Sequence, residues 1–145
     1  MKKKSAILIV DDDPNDAEII TRAFRKSTSE CVPYAVTSSV EALKYLQGQP
    51  PYSDPGEFPF PGLVTLDSKM PDSGKWDVLV WIRQEPELRK LPVVILCGSA
   101  DPADEQLAKD LGANAYYIKP QDFDDFTRTI EQIAKRWLRQ SPEPS

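Results

Sequence analysis

Apolar residues gather along the chain in short uninterrupted runs, and longer amphipathic stretches separate them. Ala6-Ile7-Leu8-Ile9-Val10, Leu63-Val64-Thr65-Leu66 and Pro92-Val93-Val94-Ile95-Leu96 are continuous enough to predict strands covered on both faces. Cys31 to Thr37 and Ala115 to Ile118 predict two further, less apolar strands. Between them the helical period recurs. Asp13-Pro14 places an N-cap beside a first-turn proline and opens a helix to about Lys26. Ser38 with Glu41 forms a capping box for a short helix to Gln47, with Val40, Leu43 and Leu46 expected on its buried face. Trp76 to Arg83 follows, with Val78, Leu79 and Ile82 at core spacing. Asp101-Pro102 opens the next helix and Gly112 closes it, and Asp122 to Leu138 forms the last.

Five strand–helix repeats require crossover connections, hence an α/β fold with one parallel sheet and helices on both faces. In such sheets function gathers at the carboxyl ends of the strands. One connection is unusual: Gly48 to Gly62 is rich in proline, glycine and aromatics. Its plain reading is an irregular surface connection; its sharper one is a contact loop presenting Tyr52, Phe58 and Phe60. Residues 1–145 fit one domain, with a core over 6–138 and a flexible tail over 139–145.

Composition narrows the chemistry. The net charge of −5 argues against nucleic acid as a partner, and no apolar run suits a membrane span or a signal-peptide core, so a cytoplasmic location is expected. Two cysteines, Cys31 and Cys97, have no metal-type spacing and read as reduced thiols. The sequence holds no histidine, which excludes a Ser-His-Asp hydrolase, a zinc site built on histidine and a phosphohistidine carrier.

The strand ends carry Asp11 and Asp12, then Asp67, Cys97 and Lys119. Three carboxylates brought together raise one another's pKa, and a divalent cation relieves the conflict. Oxygen-only ligands favour Mg²⁺ over zinc or copper. With Lys119 opposite the acids, the set suits a phosphoryl group that a carboxylate attacks.

Val10-Asp11-Asp12-Asp13-Pro14, Leu66-Asp67-Ser68-Lys69-Met70-Pro71 and Tyr117-Ile118-Lys119-Pro120 resemble the receiver domain of bacterial response regulators, from about Ala6 to Leu138. The long loop before the third strand, Gly112-Ala113-Asn114 and Arg136-Trp137-Leu138 look most like the stand-alone regulators partnered with bacteriophytochrome kinases. The resemblance implies a flavodoxin-like (CheY-like), doubly wound five-stranded parallel sheet of strand order 2-1-3-4-5. It implies phosphotransfer from a sensor histidine kinase to Asp67, with Mg²⁺ held by Asp12, Asp67 and the backbone carbonyl of Lys69, Asp11 acting through water, and Lys119 pairing with the phosphoryl oxygens. It implies a phosphoacceptor with at most weak self-dephosphorylation rather than an enzyme, a downstream protein target as output, and leaves a homodimer open.

Two departures stand out. Cys97 occupies the usual Thr/Ser position, where a thiol is the poorer donor. Gly74 comes one place before the glycine usual after Met70-Pro71, and Lys75 fills that place, so the turn must be rebuilt. Tyr116 matches the aromatic that changes rotamer on activation in relatives; its plainer reading is a half-buried strand tyrosine with a wet hydroxyl. A pseudo-receiver, the same fold used as a phosphorylation-independent binding module, is the alternative. An aspartyl-phosphate phosphatase is disfavoured because Lys69 stands where its second acid belongs.

Overall fold

A computed structural model describes residues 5–27, 31–69 and 74–138. The tail over 139–145 and Met70, Pro71 and Asp72 lie outside them. The elements are β1 (Ser5–Val10), α1 (Pro14–Ser27), β2 (Cys31–Val36), α2 (Ser39–Gln47), β3 (Pro61–Asp67), α3 (Lys75–Gln84), β4 (Val93–Cys97), α4 (Pro102–Asp110), β5 (Ala115–Ile118) and α5 (Phe123–Trp137). The strands form one five-stranded sheet in the order β2-β1-β3-β4-β5, and every neighbouring pair is parallel. This is the flavodoxin-like fold, and the strand order is the one the resemblance implied.

Alternation along the central strands builds two cores. Ile7, Ile9, Leu63, Val94 and Leu96 meet Ile20, Phe24, Phe126, Ile130 and Ile133 of α1 and α5. Leu8, Val10, Val64, Leu66, Val93 and Ile95 meet Ala42, Tyr45, Leu46, Val78, Leu79 and Ile82 of α2 and α3. Covered on both faces, β1 and β4 are buried almost throughout, whereas the edge strands β2 and β5 are partly open.

The buried face of α2 differs from the expected one. Leu46 is buried as expected and Leu43 packs partly buried against the core, but Val40 is 60% exposed, and Ser39, Ala42 and Tyr45 are buried in its place. Gly74 supplies the reason. It sits at the start of α3 with ordinary backbone angles (φ −85°), and a Cβ placed there would lie 2.9 Å from Ser39 Cβ. The glycine therefore serves a close approach of the two helices, which turns Ser39 inward and Val40 outward. Only half of the expected capping box is present. Ser38 Oγ accepts from the Glu41 N–H, while the Glu41 carboxylate accepts from Tyr52 OH at 2.6 Å.

The long loop folds onto the domain rather than presenting its aromatics. Tyr52 and Phe58 pack tilted or edge-on among Tyr34 and Tyr45, with ring centroids 5.1–6.0 Å apart. Tyr34 OH donates to the Glu57 carbonyl and Tyr45 OH to the Pro59 carbonyl, so each hydroxyl pins the loop backbone. Of the three aromatics expected to face a partner, only Phe60 is exposed.

Candidate phosphoryl and metal site

Each functional side chain sits where a parallel ladder runs out. The Asp11 N–H donates to the Val36 carbonyl, one step past the end of β1, and Asp11 Oδ1 accepts from the Asp13 N–H at 2.9 Å. Asp13 in turn caps α1, its Oδ1 accepting from the N–H groups of Asn15 and Asp16. Capping thus falls to Asp13 and leaves Asp12 exposed and turned to Asp67. At the end of β3, the Ser68 N–H bonds the Leu96 carbonyl, and the Lys69 N–H closes a tight turn onto Asp67 Oδ1 at 3.2 Å. The Lys119 N–H reaches the Cys97 carbonyl at 2.6 Å, fixing the lysine just beyond β5.

These attachments bring the predicted residues together. Carboxylate oxygens of Asp11, Asp12 and Asp67 all lie within 4.8 Å of one another. Opposite oxygens on one hard divalent cation sit about 4.2 Å apart for Mg²⁺ and about 5 Å for Ca²⁺, so the three acids are placed to close on such an ion with small side-chain movements. Lys119, with 9% of its side chain exposed, places Nζ 2.8 Å from Asp11 Oδ2 and 3.4 Å from Asp67 Oδ1.

A fourth acid, which sequence reasoning missed, completes the set. Asp16 Oδ2 accepts from Lys119 Nζ at 2.9 Å. A first-turn acid ordinarily answers the helix dipole, so nothing local separates Asp16 from Asp104 or Asp124. Lys69 adds a second unexpected feature. Its side chain crosses Gly98, where an added Cβ would lie 3.4 Å from Lys69 Nζ, and so it holds a cation at the rim.

One buried lysine thus serves Asp11, Asp16 and Asp67 together. Burial pushes the Asp11 carboxyl up to about 6, against the lowering effect of Lys119 and the Asp13 N–H. Asp12 is also raised, by slight desolvation and then by the facing Asp67 charge. Burial opposes the Lys119 charge, but its hydrogen bonds to Asp11 and Asp16 outweigh it and hold the ammonium above its ordinary range. Both members of the Lys119–Asp11 pair rise because the lysine is shared among several acids while Asp11 is buried.

Cys97 is buried beside this cluster, and its Sγ donates to the Ser99 carbonyl at 2.6 Å. Tyr116 is half-buried, with its hydroxyl 3.4 Å from Asp104 Oδ2 on α4. Burial, followed by the neighbouring Cys97 thiol and Asp104, holds its phenol above the usual range. The hydroxyl is thus engaged with α4 rather than simply hydrated.

Known proteins match this arrangement along most of the chain. The family model for the response regulator receiver domain matches residues 7–131. Response regulator Rcp1 of Synechocystis is 29% identical over 132 residues, covering 91% of this chain and 88% of its own. Its Mn²⁺-bound crystal structure superimposes with a TM-score of 0.83 at 28% identity, covering 97% of this chain and 99% of Rcp1. The phosphorylated cyanobacterial phytochrome response regulator RcpA gives 0.86 at 28% identity, covering 98% and 99%. RPA3017, a response regulator in red light signalling of R. palustris, gives 0.84 at 27% identity, covering 97% and 99%. With the sheet order, the acid cluster and the strand-end lysine all in place, the chain belongs to the response regulator receiver-domain family of two-component signalling.

Proposed function

We propose that Asp67 accepts a phosphoryl group from a sensor histidine kinase in a Mg²⁺-dependent reaction and that the phosphorylated domain signals by protein contacts. The observation that carries this reading is the convergence of Asp11, Asp12 and Asp67 within 4.8 Å, with Lys119 Nζ 3.4 Å from Asp67 Oδ1. An Asp67 oxygen attacks phosphorus while the N–P bond of the donor phosphohistidine breaks and its electron pair returns to the imidazole. Lys119 donates to the phosphoryl oxygens as their charge develops. Asp11, Asp12, Asp67 and the Lys69 carbonyl would hold Mg²⁺, which supplies positive charge against those same oxygens.

Several finer assignments accompany this reading. The domain is a phosphoacceptor with at most slow self-dephosphorylation. The likeness to RcpA, a phytochrome response regulator, and to RPA3017, which acts in red light signalling, supports a bacteriophytochrome as the kinase. No helix among the described residues is long and apolar enough to cross a membrane, and with the acidic net charge this supports a cytoplasmic protein that binds neither membrane nor nucleic acid. Exposed Ile118 and Phe123, beside the end of β5 and the start of α5, support a homodimer or docking face. Tyr116, linked to α4 through Asp104, would report the phosphorylated state, with Cys97 in place of the coupling hydroxyl. Incubation with radiolabelled acetyl phosphate tests the reading. Acid-stable but alkali-labile label, present with Mg²⁺ and absent with a chelator, is expected; no uptake in Mg²⁺ would leave the domain as a phosphorylation-independent binding module.

A further inference from the structure

The Lys119 ammonium has three hydrogens to place. Two are fixed by short bonds, to Asp11 Oδ2 at 2.8 Å and Asp16 Oδ2 at 2.9 Å, and Asp67 Oδ1 stands farther off at 3.4 Å. A lysine ends in a flexible four-carbon stem, and a single tether at Asp11 would let the ammonium pivot. The second tether removes that freedom and leaves the third N–H for the side where Asp67 stands. Asp16 itself is held by the start of α1, where its backbone N–H bonds the Asp13 cap. It also lies outside the three-carboxylate cluster, so it remains available to the lysine when Asp11, Asp12 and Asp67 are engaged elsewhere.

We infer that Asp16 is a positioning residue for phosphoryl transfer: together with Asp11 it aims the Lys119 ammonium at the place the phosphoryl group takes on Asp67. The inference rests on Asp67 as phosphoacceptor, yet its structural half is testable without any phosphate. Two substitutions separate aim from charge. Asp16→Asn removes the charge but keeps an acceptor for Lys119, whereas Asp16→Ala removes both.

Phosphorylation by acetyl phosphate should slow about tenfold in Asp16→Ala, the size of one charge-assisted hydrogen bond lost from a preorganised site. Asp16→Asn should recover to within about threefold of the parent, since one acceptor still fixes the lysine. Equal rates in the two variants, faster or slower than the parent, would mean that Asp16 acts through charge alone and would overturn the inference, as would a parent-like rate in Asp16→Ala. The second readout is the ¹⁵N–¹H resonance of the Lys119 ammonium in the unphosphorylated protein. It should be slow-exchanging in the parent and in Asp16→Asn, and lost to fast exchange in Asp16→Ala. A resonance unchanged in Asp16→Ala overturns the positioning role even if the parent takes up no phosphate, so failure here is distinct from failure of the phosphoacceptor reading.

Discussion

Replacing Lys119 with methionine should cost the metal-free protein about 3 kcal/mol at pH 7, the low end for removing one partner of a buried ion pair. The lysine is almost fully buried and serves Asp11, Asp16 and Asp67 at 2.8, 2.9 and 3.4 Å. Methionine fills the stem but leaves Asp11, 1% exposed, without its cation. The low end applies because Asp16 has access to water and Asp11 can bind a proton instead. The sign of the pH dependence follows. The folded Asp11 carboxyl is raised to about 6 from 3.8, so this group stabilises the fold most below its unfolded value and the contribution is lost as pH rises through about 6. Lys119 has a raised value of its own, far above this window, so its contribution is constant from pH 5 to 7. The variant's penalty should therefore shrink to about half at pH 5, where protonated Asp11 no longer needs the lysine. Urea melts at the two pH values without metal, or thermal melts with a shift of about 10 °C at pH 7, measure it. A penalty below about 1 kcal/mol at pH 7, or the same penalty at both values, would refute the shared-lysine account.

Magnesium affinity should fall by about tenfold per unit as pH drops below the Asp11 value of about 6, because proton and cation compete for the same carboxylate. Asp12→Ala should weaken binding at every pH, and calorimetric titrations indistinguishable from the parent would remove the metal site. Cys97→Thr should enlarge the phosphorylation-induced change at Tyr116, followed by NMR, while leaving the capture rate near that of the parent. A hydroxyl bond to a charged phosphoryl is worth about 1.5–3 kcal/mol, roughly ten- to a hundredfold in the switching equilibrium. An inert parent made phosphorylatable by Cys97→Thr would favour the constitutive module instead. Gly74→Ala should destabilise by about 1–2 kcal/mol in urea melts through its 2.9 Å approach to Ser39 Cβ, and Ser39→Gly in the same chain should restore most of it. No loss in the single variant would mean that the α2–α3 contact is looser than described.

Much of this molecule was legible in its sequence because the signals were local or repeated. The apolar runs of β1, β3 and β4 carry the mark of strands covered on both faces, and the acids after β1 and β3 and the lysine after the shorter β5 follow from where the runs stop. What escaped depends on distant partners. Asp16 looks like any acid in a first helical turn; only folding brings Lys119, 103 positions away, against it. Val40 fits the helical period as well as Ala42 does, and the choice between faces is made by Gly74 pressing on Ser39. Tyr52 and Phe58 sit among prolines and glycines that read as surface loop, yet Tyr34 and Tyr45 supply an aromatic wall that no pattern within the loop announces. Gly74 read as a displaced turn glycine; that turn lies outside the described residues, and what Gly74 itself shows is steric: its φ of −85° is open to any residue and the space beside it is not.

The central claim is that Asp67, and no other acid, takes the phosphoryl group. Mass spectrometry of peptides from protein treated with acetyl phosphate and Mg²⁺ tests it most directly, with Asp67→Asn alongside. The Asn variant keeps the shape of the strand end and removes the nucleophile, so it should lose uptake while keeping the parent's circular dichroism. A single adduct on Asp67, absent from the variant, is the expected result. An adduct on Asp72 or Asp12, or undiminished uptake by Asp67→Asn, would contradict the account.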